Sequence, residues 1–159
     1  MSGDSSVSAL NRRELLLAGA VGVFALVIPL RAHARPTLDE AIRSFTGGAE
    51  IREGRVKFEI SPLVENGNAV PVSIDVESPM TPDQHVRRIA LLNEKNPQAD
   101  IAVFHLSPRA GRAHVATRIR LATSQVVVAL AEMSDGSFWI SKANVIVTLA
   151  ACIEDISRA

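Results

Sequence analysis

The chain is poor in the residues that most often mark a covalent framework or a stacking surface. Its 159 residues include one cysteine, Cys152, and no tyrosine, and aromatic residues make up only 4% of the total. A single thiol cannot close a disulfide within the chain, so Cys152 must be inert packing, an intermolecular partner or a reactive group. The scarcity of aromatic side chains argues against a surface that binds carbohydrates or nucleobases by stacking.

The chain also lacks an excess of charge of either sign. It has 17 basic and 17 acidic residues, which gives a formal net charge of zero. A nucleic-acid-binding protein would show a basic surplus, so the composition argues against that class. A single domain of this size can bury a hydrophobic core without the help of disulfides.

Residues 1–34 have the pattern of an export signal. The pair Arg12 and Arg13 precedes the apolar run Leu15–Leu30, which is 16 residues long, and the small-x-small site 32–34 predicts cleavage after Ala34. The run is shorter than the roughly 20 residues that a spanning helix needs. The consecutive arginines are typical of a twin-arginine signal, which delivers folded cargo to the periplasm. An ordinary secretory signal or an uncleaved anchor are the alternatives.

Residues 35–48 predict a short N-terminal helix and a linker. Thr37 and Glu40 have the spacing of a capping box, in which each side chain accepts a hydrogen bond from the other residue's backbone amide. Four apolar residues then share one face at helical spacing: Leu38, Ala41, Ile42 and Phe45. Gly47-Gly48 ends the segment. We therefore expect an amphipathic helix of two to three turns that packs on the main domain.

Residues 49–149 have strand character throughout. Eight strand-like segments follow one another at even spacing and predict about seven short strands: 56–60, 70–76, 86–92, 101–106, 115–121, 125–131, 138–140 and 145–149. Pro71 predicts an edge position for its strand, whereas the nearly all-apolar segment 125–131 predicts a central strand. The fold class is therefore all-β, an immunoglobulin-like antiparallel β-sandwich with a short N-terminal helix. The pattern breaks after Leu149, so residues 150–159 form a C-terminal tail that bears the cysteine.

Cys152 is the main candidate for chemistry. A thiolate is a good nucleophile and a good covalent anchor for sulfur species. The neighbouring carboxylates of Glu154 and Asp155 should raise the pKa of the thiol and slow its attack, because they disfavour a third negative charge. The alternative is that Cys152 is a small hydrophobe that fills a gap at the end of the sandwich.

No metal site, cofactor site or catalytic residue is predicted. His85, His105 and His114 do not lie at metal-ligand spacing from one another or from Cys152. His105 falls inside an apolar strand, so we expect a satisfied core residue. A copper or zinc site built from distant histidines with Met80 or Met133 stays open. The sequence contains no serine elbow, phosphate loop or glutamate pair.

Four arginines cluster along one predicted hairpin: Arg109, Arg112, Arg118 and Arg120. Strand alternation places Arg118 and Arg120 on the same outward face. Such a cluster is commonly a solvated face or a set of ion pairs with nearby acids. The other interpretation is a docking patch for an acidic partner or an anionic adduct.

Five blocks of sequence, in order, resemble the SoxY family, the sulfur-carrier subunits of the periplasmic thiosulfate-oxidising system. The blocks lie at residues 62–72, 78–81, 94–97, 117–121 and 131–139, within a resemblance that extends from about residue 37 to 152. The arginine-pair signal fits as well, since family members are typically exported by the twin-arginine route.

This resemblance implies a carrier subunit and not an enzyme. It implies that the domain pairs with a second β-sandwich subunit, SoxZ, and that Cys152 matches the carrier cysteine on the C-terminal arm. A c-type cytochrome complex would couple thiosulfate to that cysteine, a hydrolase would release sulfate, and a dehydrogenase complex would oxidise the remaining sulfane. The resemblance implies no cofactor, no nucleic acid and no membrane association after signal cleavage.

The arm itself departs from the family pattern, which ends Gly-Gly-Cys-Gly-Gly. Here Ala150 and Ala151 precede the cysteine, and seven residues beginning with Ile153 follow it. Glycines make an arm supple and narrow, whereas alanine restricts the backbone and isoleucine adds width. Two alternatives to a standard carrier therefore stay open. One is a non-carrying paralogue that acts as a structural or regulatory module, and the other is a carrier for a different sulfur substrate and different enzymes.

Overall fold

The computed structural model describes residues 35–149. The predicted export signal, with Arg12 and Arg13, and the predicted tail, with Cys152, lie outside the described residues. The domain boundaries proposed at residues 34 and 149 therefore remain predictions. Within residues 35–149, no helix combines the length and apolar character needed to cross a membrane.

The described residues form one α-helix, nine β-strands and a single 3-10 turn at Pro108–Ala110. Helix α1 spans Leu38–Thr46. The strands are β1 Ile51–Glu53, β2 Val56–Ile60, β3 Leu63–Asn66, β4 Val70–Val76, β5 Val86–Asn93, β6 Asp100–His105, β7 Ala113–Ile119, β8 Gln125–Met133 and β9 Phe138–Leu149.

The two sheets confirm the predicted β-sandwich with a short N-terminal helix. The larger sheet has the strand order β1-β9-β8-β5-β6, with β3 also paired to β9, and the smaller sheet has the order β2-β4-β7. Most pairs are antiparallel, but β1 and β3 each run parallel to β9. The long strand β9 therefore carries two short parallel strands on the edge that faces away from β8.

The main core lies between the two sheets, where alternate residues of each strand point inward. Its fully buried members include Val70, Ile74, Ile89, Leu121 and Val127. A second, smaller core lies under α1 and contains Ile42, Ala90, Leu92, Val128, Leu130 and Ile140. Strands β5 and β8 contribute to both cores, so both of their faces are buried and their sequences are nearly continuous apolar runs. The predicted central position of residues 125–131 is confirmed.

Helix α1 begins and ends as predicted. The Glu40 backbone amide donates to Thr37 Oγ1 at 3.2 Å, and the Thr37 amide donates to Glu40 Oε2 at 2.7 Å, which completes the capping box. These contacts hold the pKa of Glu40 below its ordinary value, because the amide hydrogen bond favours the charged carboxylate. Gly47 closes the helix with φ of 63°, a left-handed conformation that glycine adopts without strain.

A buried carboxylate and two arginines fix the helix to the larger sheet. Glu132 on β8 is 7% exposed and accepts hydrogen bonds from Arg87 and Arg88 on β5. The Arg88 guanidinium also lies over the Phe45 ring of α1, 4.5 Å from its centroid. The positive charge of the half-buried Arg88 is therefore stabilised by the Glu132 carboxylate on one side and by the face of the Phe45 ring on the other. The sequence pattern did not indicate this arrangement.

The predicted edge position of Pro71 is wrong. Its strand, β4, is the central strand of the smaller sheet, between β2 and β7. Proline is tolerated there because the pairing of β2 with β4 ends at Ile60 and Val72. Pro71 lies one residue beyond that pairing, so its missing N–H removes no hydrogen bond to β2.

Two short strands were missed, and the last two predicted strands are one. β1 and β3 are three and four residues long and mostly exposed, so they lack a regular alternation that would predict them. β9 continues through Lys142 and Asn144, which are exposed. These two polar residues lie on the same face of β9 as Phe138 and Ile140, but beyond the area that α1 covers. They therefore interrupt the apolar pattern of the sequence, while the strand itself continues.

The prediction that His105 is a core residue is wrong. His105 is exposed at the end of β6, which is the edge strand of the larger sheet. It pairs with Arg88 on β5, while the neighbouring Phe104 packs against the main core. Strand alternation therefore directs Phe104 inward and His105 outward.

Candidate functional site

The candidate site is the end of the sandwich from which the cysteine-bearing tail leaves. β9 ends at Leu149, and Cys152 follows three residues later. Cys152 itself lies outside the described residues, so the structure defines the base of the tail and not the position of the thiol. Strand β9, strand β3 and the loops 66–69, 94–97 and 120–125 meet at this end, as their hydrogen bonds show.

The backbone of β9 is held on both sides up to this base. On one side the Ile146 amide donates to the Pro62 carbonyl at 2.9 Å, and Thr148 Oγ1 donates to the Glu65 carbonyl at 3.1 Å. On the other side the Val147 amide donates to Ser124 Oγ at 2.9 Å. Because β9 is hydrogen-bonded on both sides, the point at which the tail begins is fixed relative to the sandwich.

A network of side-chain amides builds the loops around the base. Asn96 Oδ1 accepts from the Ala122 amide at 2.9 Å and from Gln125 Nε2 at 2.8 Å, while its Nδ2 donates to the Arg120 carbonyl at 2.8 Å. The fully buried Asn93 accepts from the Asn96 amide at 2.7 Å. A satisfied buried network of this kind rigidifies its loops. Sequence reasoning missed these residues, although block 94–97 of the family resemblance includes Asn96.

The predicted cluster of four arginines separates into different environments. Arg118 lies near the C-terminal end of β7, and Arg120 directly follows that strand. Both side chains are exposed, which confirms their outward position. Arg109 lies in the 3-10 turn that precedes β7, at the opposite end of that strand. Arg112 is also at that opposite end, where it donates to Asp75 Oδ1 at 2.5 Å.

Asp75, Arg112 and His114 form a polar group on the outer face of the smaller sheet. Asp75 and His114 are direct cross-strand partners on β4 and β7, and His114 Nδ1 lies 3.0 Å from Asp75 Oδ2. Burial acts to raise the pKa of Asp75, but the hydrogen bonds from His114 and Arg112 outweigh it and leave this pKa below its ordinary value. The group lies away from the tail base, so its role is to stabilise the pairing of β4 with β7.

The structure does not bring the histidines and methionines together as metal ligands. His85, His105 and His114 lie on three different strands or loops, and no three His, Cys, Asp or Glu side chains converge within residues 35–149. Met80 and Met133 are 5% and 3% exposed and pack in the main core. Their sulfur atoms therefore serve as apolar packing, although Met80 Sδ also accepts from the Val86 amide at 3.5 Å.

An exposed apolar pair lies beside the tail base. Leu63 on β3 and Ile146 on β9 are cross-strand partners, and each is 58% exposed. Among residues 35–148, whose side-chain exposure the structure describes, only one other large hydrophobic residue is exposed, Val103 at 42%. Neighbouring exposed apolar side chains are a common mark of a surface that contacts another protein.

The fold and the site together define a β-sandwich protein with a short helix on one face and a C-terminal strand that leads into a cysteine-bearing tail. The family model described as "Sulfur oxidation protein SoxY" matches residues 42–152, which is most of the chain and includes Cys152. The chain therefore belongs to the SoxY family.

Solved structures agree with this assignment. The sulfur carrier protein SoxY from Chlorobium limicola f thiosulfatophilum superposes with a TM-score of 0.59 and 25% identity, over 70% of this chain and 91% of that one. Superoxide reductase (neelaredoxin) from Ignicoccus hospitalis superposes with a TM-score of 0.54 and 17% identity, over 59% and 80% of the two chains. The second likeness shows the fold alone. Among curated protein sequences, none matches the chain.

Proposed function

We propose that the protein is a sulfur carrier in the oxidation of thiosulfate or a related sulfur compound, and that Cys152 holds the covalent intermediate. The observation that carries the proposal is the family match, which extends through Cys152. The structure adds support, because β9 is tied down to Thr148 and the thiol follows four residues later. A carrier needs this combination of a fixed base and a short reach.

The covalent step has a simple balance. The Cys152 thiolate and thiosulfate form one sulfur–sulfur bond, and the two electrons released pass to an oxidising c-type cytochrome complex. Hydrolysis of the terminal sulfone with water then releases sulfate and leaves a sulfane sulfur on the cysteine. In this scheme the protein supplies the thiol and its position, and other components catalyse each step.

The protein acts in the periplasm, after export on the signal of residues 1–34, and pairs with a SoxZ-type subunit. The pair Leu63 and Ile146 is our candidate contact for that subunit, because it is apolar, exposed and adjacent to the tail base. A subunit bound there lies beside the strand end from which the tail leaves. The cytochrome, hydrolase and dehydrogenase components bind only transiently.

The direct test is intact mass spectrometry of the protein after incubation with the partner subunit, thiosulfate and the cytochrome complex. We expect an added mass that maps to Cys152, disappears on reduction with a thiol and does not form in Cys152→Ser. If the wild-type protein stays unmodified while a glycine-armed SoxY in the same mixture is loaded, the carrier function is wrong.

The second candidate is a non-carrying paralogue that keeps the sandwich and its partner surface. The altered arm, with Ala150, Ala151 and Ile153 in place of glycines, favours it. In that case Cys152→Ser should leave both partner binding and thiosulfate-dependent growth unchanged, and loss of growth would exclude it. A third option, a different sulfur substrate, predicts that Cys152 is loaded by other sulfur compounds but not by thiosulfate.

A further inference from the structure

Strand β6 is an open edge of the larger sheet and lacks the features that usually protect such an edge. None of the strands in the described part of the chain pairs with its outer side. Natural edge strands are commonly blunted by short length or by charged side chains. Here β1 and β3 are three and four residues long, β2 contains Lys57, and β7 contains Arg118. In contrast, β6 has six residues with an apolar centre at 101–104, and its polar residues Asp100 and His105 stand at its two ends.

The outer side of β6 presents backbone groups that have no strand to bond to. The Leu106 amide donates to the Arg87 carbonyl at 2.9 Å, which fixes the alternation of hydrogen bonds between β5 and β6. In an antiparallel pair, every second residue of a strand bonds to the same neighbour. Phe104 therefore bonds to β5, whereas Val103 and His105 direct their N–H and C=O groups to the open side. A further strand is the partner that satisfies such a row of groups.

Three side chains of this edge lie on the face of the sheet that α1 covers. Val103 pairs with Ala90, and a bulge in the pairing of β5 with β6 brings Asp100 opposite Leu92 on the same face. His105 lies on this face two residues beyond Val103. Val103 is 42% exposed, and Asp100 and His105 are exposed without an ion-pair partner among the described residues. The edge is therefore an apolar side chain between an acid and an imidazole.

This pattern is complementary to itself. Two identical strands that pair antiparallel are related by a two-fold axis, and here the axis passes through Val103. Val103 then packs against Val103 of the second copy, and each His105 lies beside Asp100 of the other copy. An imidazole donates a hydrogen bond to a carboxylate in either protonation state. A shift of one residue would set side chains of opposite faces against each other, so the pattern specifies one register.

Helix α1 leaves the edge accessible. A groove of about 420 Å³ separates the helix from β6, and its walls include Ala41 and Phe45 of α1 and Val103 of β6. A second strand can therefore approach β6 along the open side without displacing the helix. The pair Leu63 and Ile146 lies at the opposite edge of the larger sheet, where β3 adjoins β9.

We propose that two copies of the chain associate through β6, in antiparallel register about Val103, so that their larger sheets form one continuous sheet. The contact is only six residues long on each copy, which is typical of a transient interface. It leaves Leu63 and Ile146 open on both copies, so a second subunit can bind there at the same time. It also holds whether or not Cys152 carries sulfur.

Sedimentation equilibrium of the mature chain tests the association over concentrations from about 10 µM to about 1 mM. The protein is kept reduced, so that no disulfide forms through Cys152. We expect a reversible equilibrium between monomer and dimer. Amide hydrogen exchange at the two ends of the range then locates the contact. Exchange at Val103 and His105 should slow by about fivefold in the concentrated sample, while exchange at Phe104, which already bonds to β5, should not change.

A charge placed on the two-fold axis should break the dimer. Val103→Lys sets two like charges opposite each other and should lower the association constant by at least about tenfold. The matched control is Ala116→Lys, which adds the same charge at an exposed position of β7 and should leave the association constant unchanged.

A charge exchange tests the register. His105→Glu sets a carboxylate beside Asp100 of the other copy and should lower the association constant by about fivefold, because two exposed contacts are lost. Adding Asp100→Lys to His105→Glu reverses both charges and should restore the association constant to within about twofold of wild type. A local disturbance of β6 by either substitution would not be rescued in this way.

Three outcomes would overturn the proposal. One is a protein that stays monomeric at about 1 mM. Another is a dimer that forms equally well with Val103→Lys, and the third is a double charge variant that associates no better than His105→Glu alone. None of these outcomes bears on the loading of Cys152 with sulfur, so this test and the loading test fail independently.

Discussion

Ser124 and Val147 are joined by two hydrogen bonds at the base of the cysteine-bearing tail. The Val147 amide donates to Ser124 Oγ at 2.9 Å, and Ser124 Oγ in turn lies 3.4 Å from the Val147 carbonyl. The pairing of β8 with β9 ends at Gln125 and Val145, so on that side of β9 a loop hydroxyl takes over as the partner of the backbone at Val147. Because Cys152 follows five residues later, this contact fixes the origin of the arm.

Ser124→Ala should loosen the end of β9 without unfolding the sandwich. The loss of the hydroxyl leaves the Val147 amide without its partner, which costs about 1 kcal/mol of folding free energy. Amide hydrogen exchange of Val147 should accelerate by about fivefold, while that of Val127 in the core stays unchanged. Ser44→Ala, an exposed position on α1, is the control and should change neither rate. Equal exchange of Val147 in both variants would contradict the anchoring role.

Glu132→Gln should destabilise the protein more than an exposed acid-to-amide change does. Glu132 is 7% exposed and is the shared acceptor of Arg87 and Arg88, so its loss leaves Arg88 half-buried without a counter-charge. We expect a loss of about 1–3 kcal/mol in the free energy of unfolding, measured by urea denaturation. The matched control is Glu59→Gln, whose partner Lys57 is 73% exposed and which should cost much less.

Asp75 should make the stability of the protein depend on pH in the acidic range. Its pKa in the folded protein is below the ordinary 3.8, so its contribution is fully present above that value. As the pH falls through the lower folded pKa, the carboxylate is protonated and the contribution is lost. The difference in unfolding free energy between wild type and Asp75→Asn should therefore shrink below about pH 4.

The control for this titration is Asp100→Asn, at the exposed start of β6. The difference in unfolding free energy between wild type and Asp100→Asn should stay constant over the same range of pH. If the difference in unfolding free energy between wild type and Asp75→Asn instead grows as the pH falls, then the pKa of Asp75 is not lowered by folding and the prediction is wrong.

Leu63→Ser combined with Ile146→Ser should weaken binding to the partner subunit but not the fold. Both side chains are 58% exposed, so little apolar area is lost from the core. If the pair is the contact surface, each side chain that is fully buried on binding contributes about 1.5–3 kcal/mol, and the dissociation constant should rise by at least about tenfold. Titration calorimetry with the partner subunit measures the change.

A single serine substitution at another exposed apolar position is the comparison. Val103→Ser on the edge strand β6, which is 42% exposed, should leave partner affinity unchanged. An equal loss of affinity from Val103→Ser would place the partner on the β6 edge.

Restoring glycine to the arm should increase loading of the cysteine by standard partner enzymes. Ala150→Gly, Ala151→Gly and Ile153→Gly together remove side-chain width and widen the backbone conformations that the arm can adopt. The measurement is the initial rate of adduct formation on Cys152 by intact mass. The control Ala143→Gly lies within β9, away from the arm, and should not increase the rate. An unchanged rate in the triple variant would show that the native arm already fits those enzymes.

The sequence alone was sufficient for the fold class, for the capping box of α1 and for the central position of β8, because these depend on local periodicity and on the spacing of a few side chains. It was also sufficient for the family, since five ordered blocks identified it before any contact was known. It was misleading at Pro71 and His105. Whether a proline lacks a partner, or which way an edge residue points, depends on where the neighbouring strand ends and not on the residue itself.

The base of the tail was decided only by the tertiary structure. Ser124 and Asn96 gain their roles from hydrogen bonds to residues 23 and 26 positions away, and no local pattern records such contacts. β3 is likewise a strand only because β9 runs beside it. The sequence by itself determined that a lone thiol follows the last strand, whereas the packing of three loops around that strand determined that the tail starts from a fixed base.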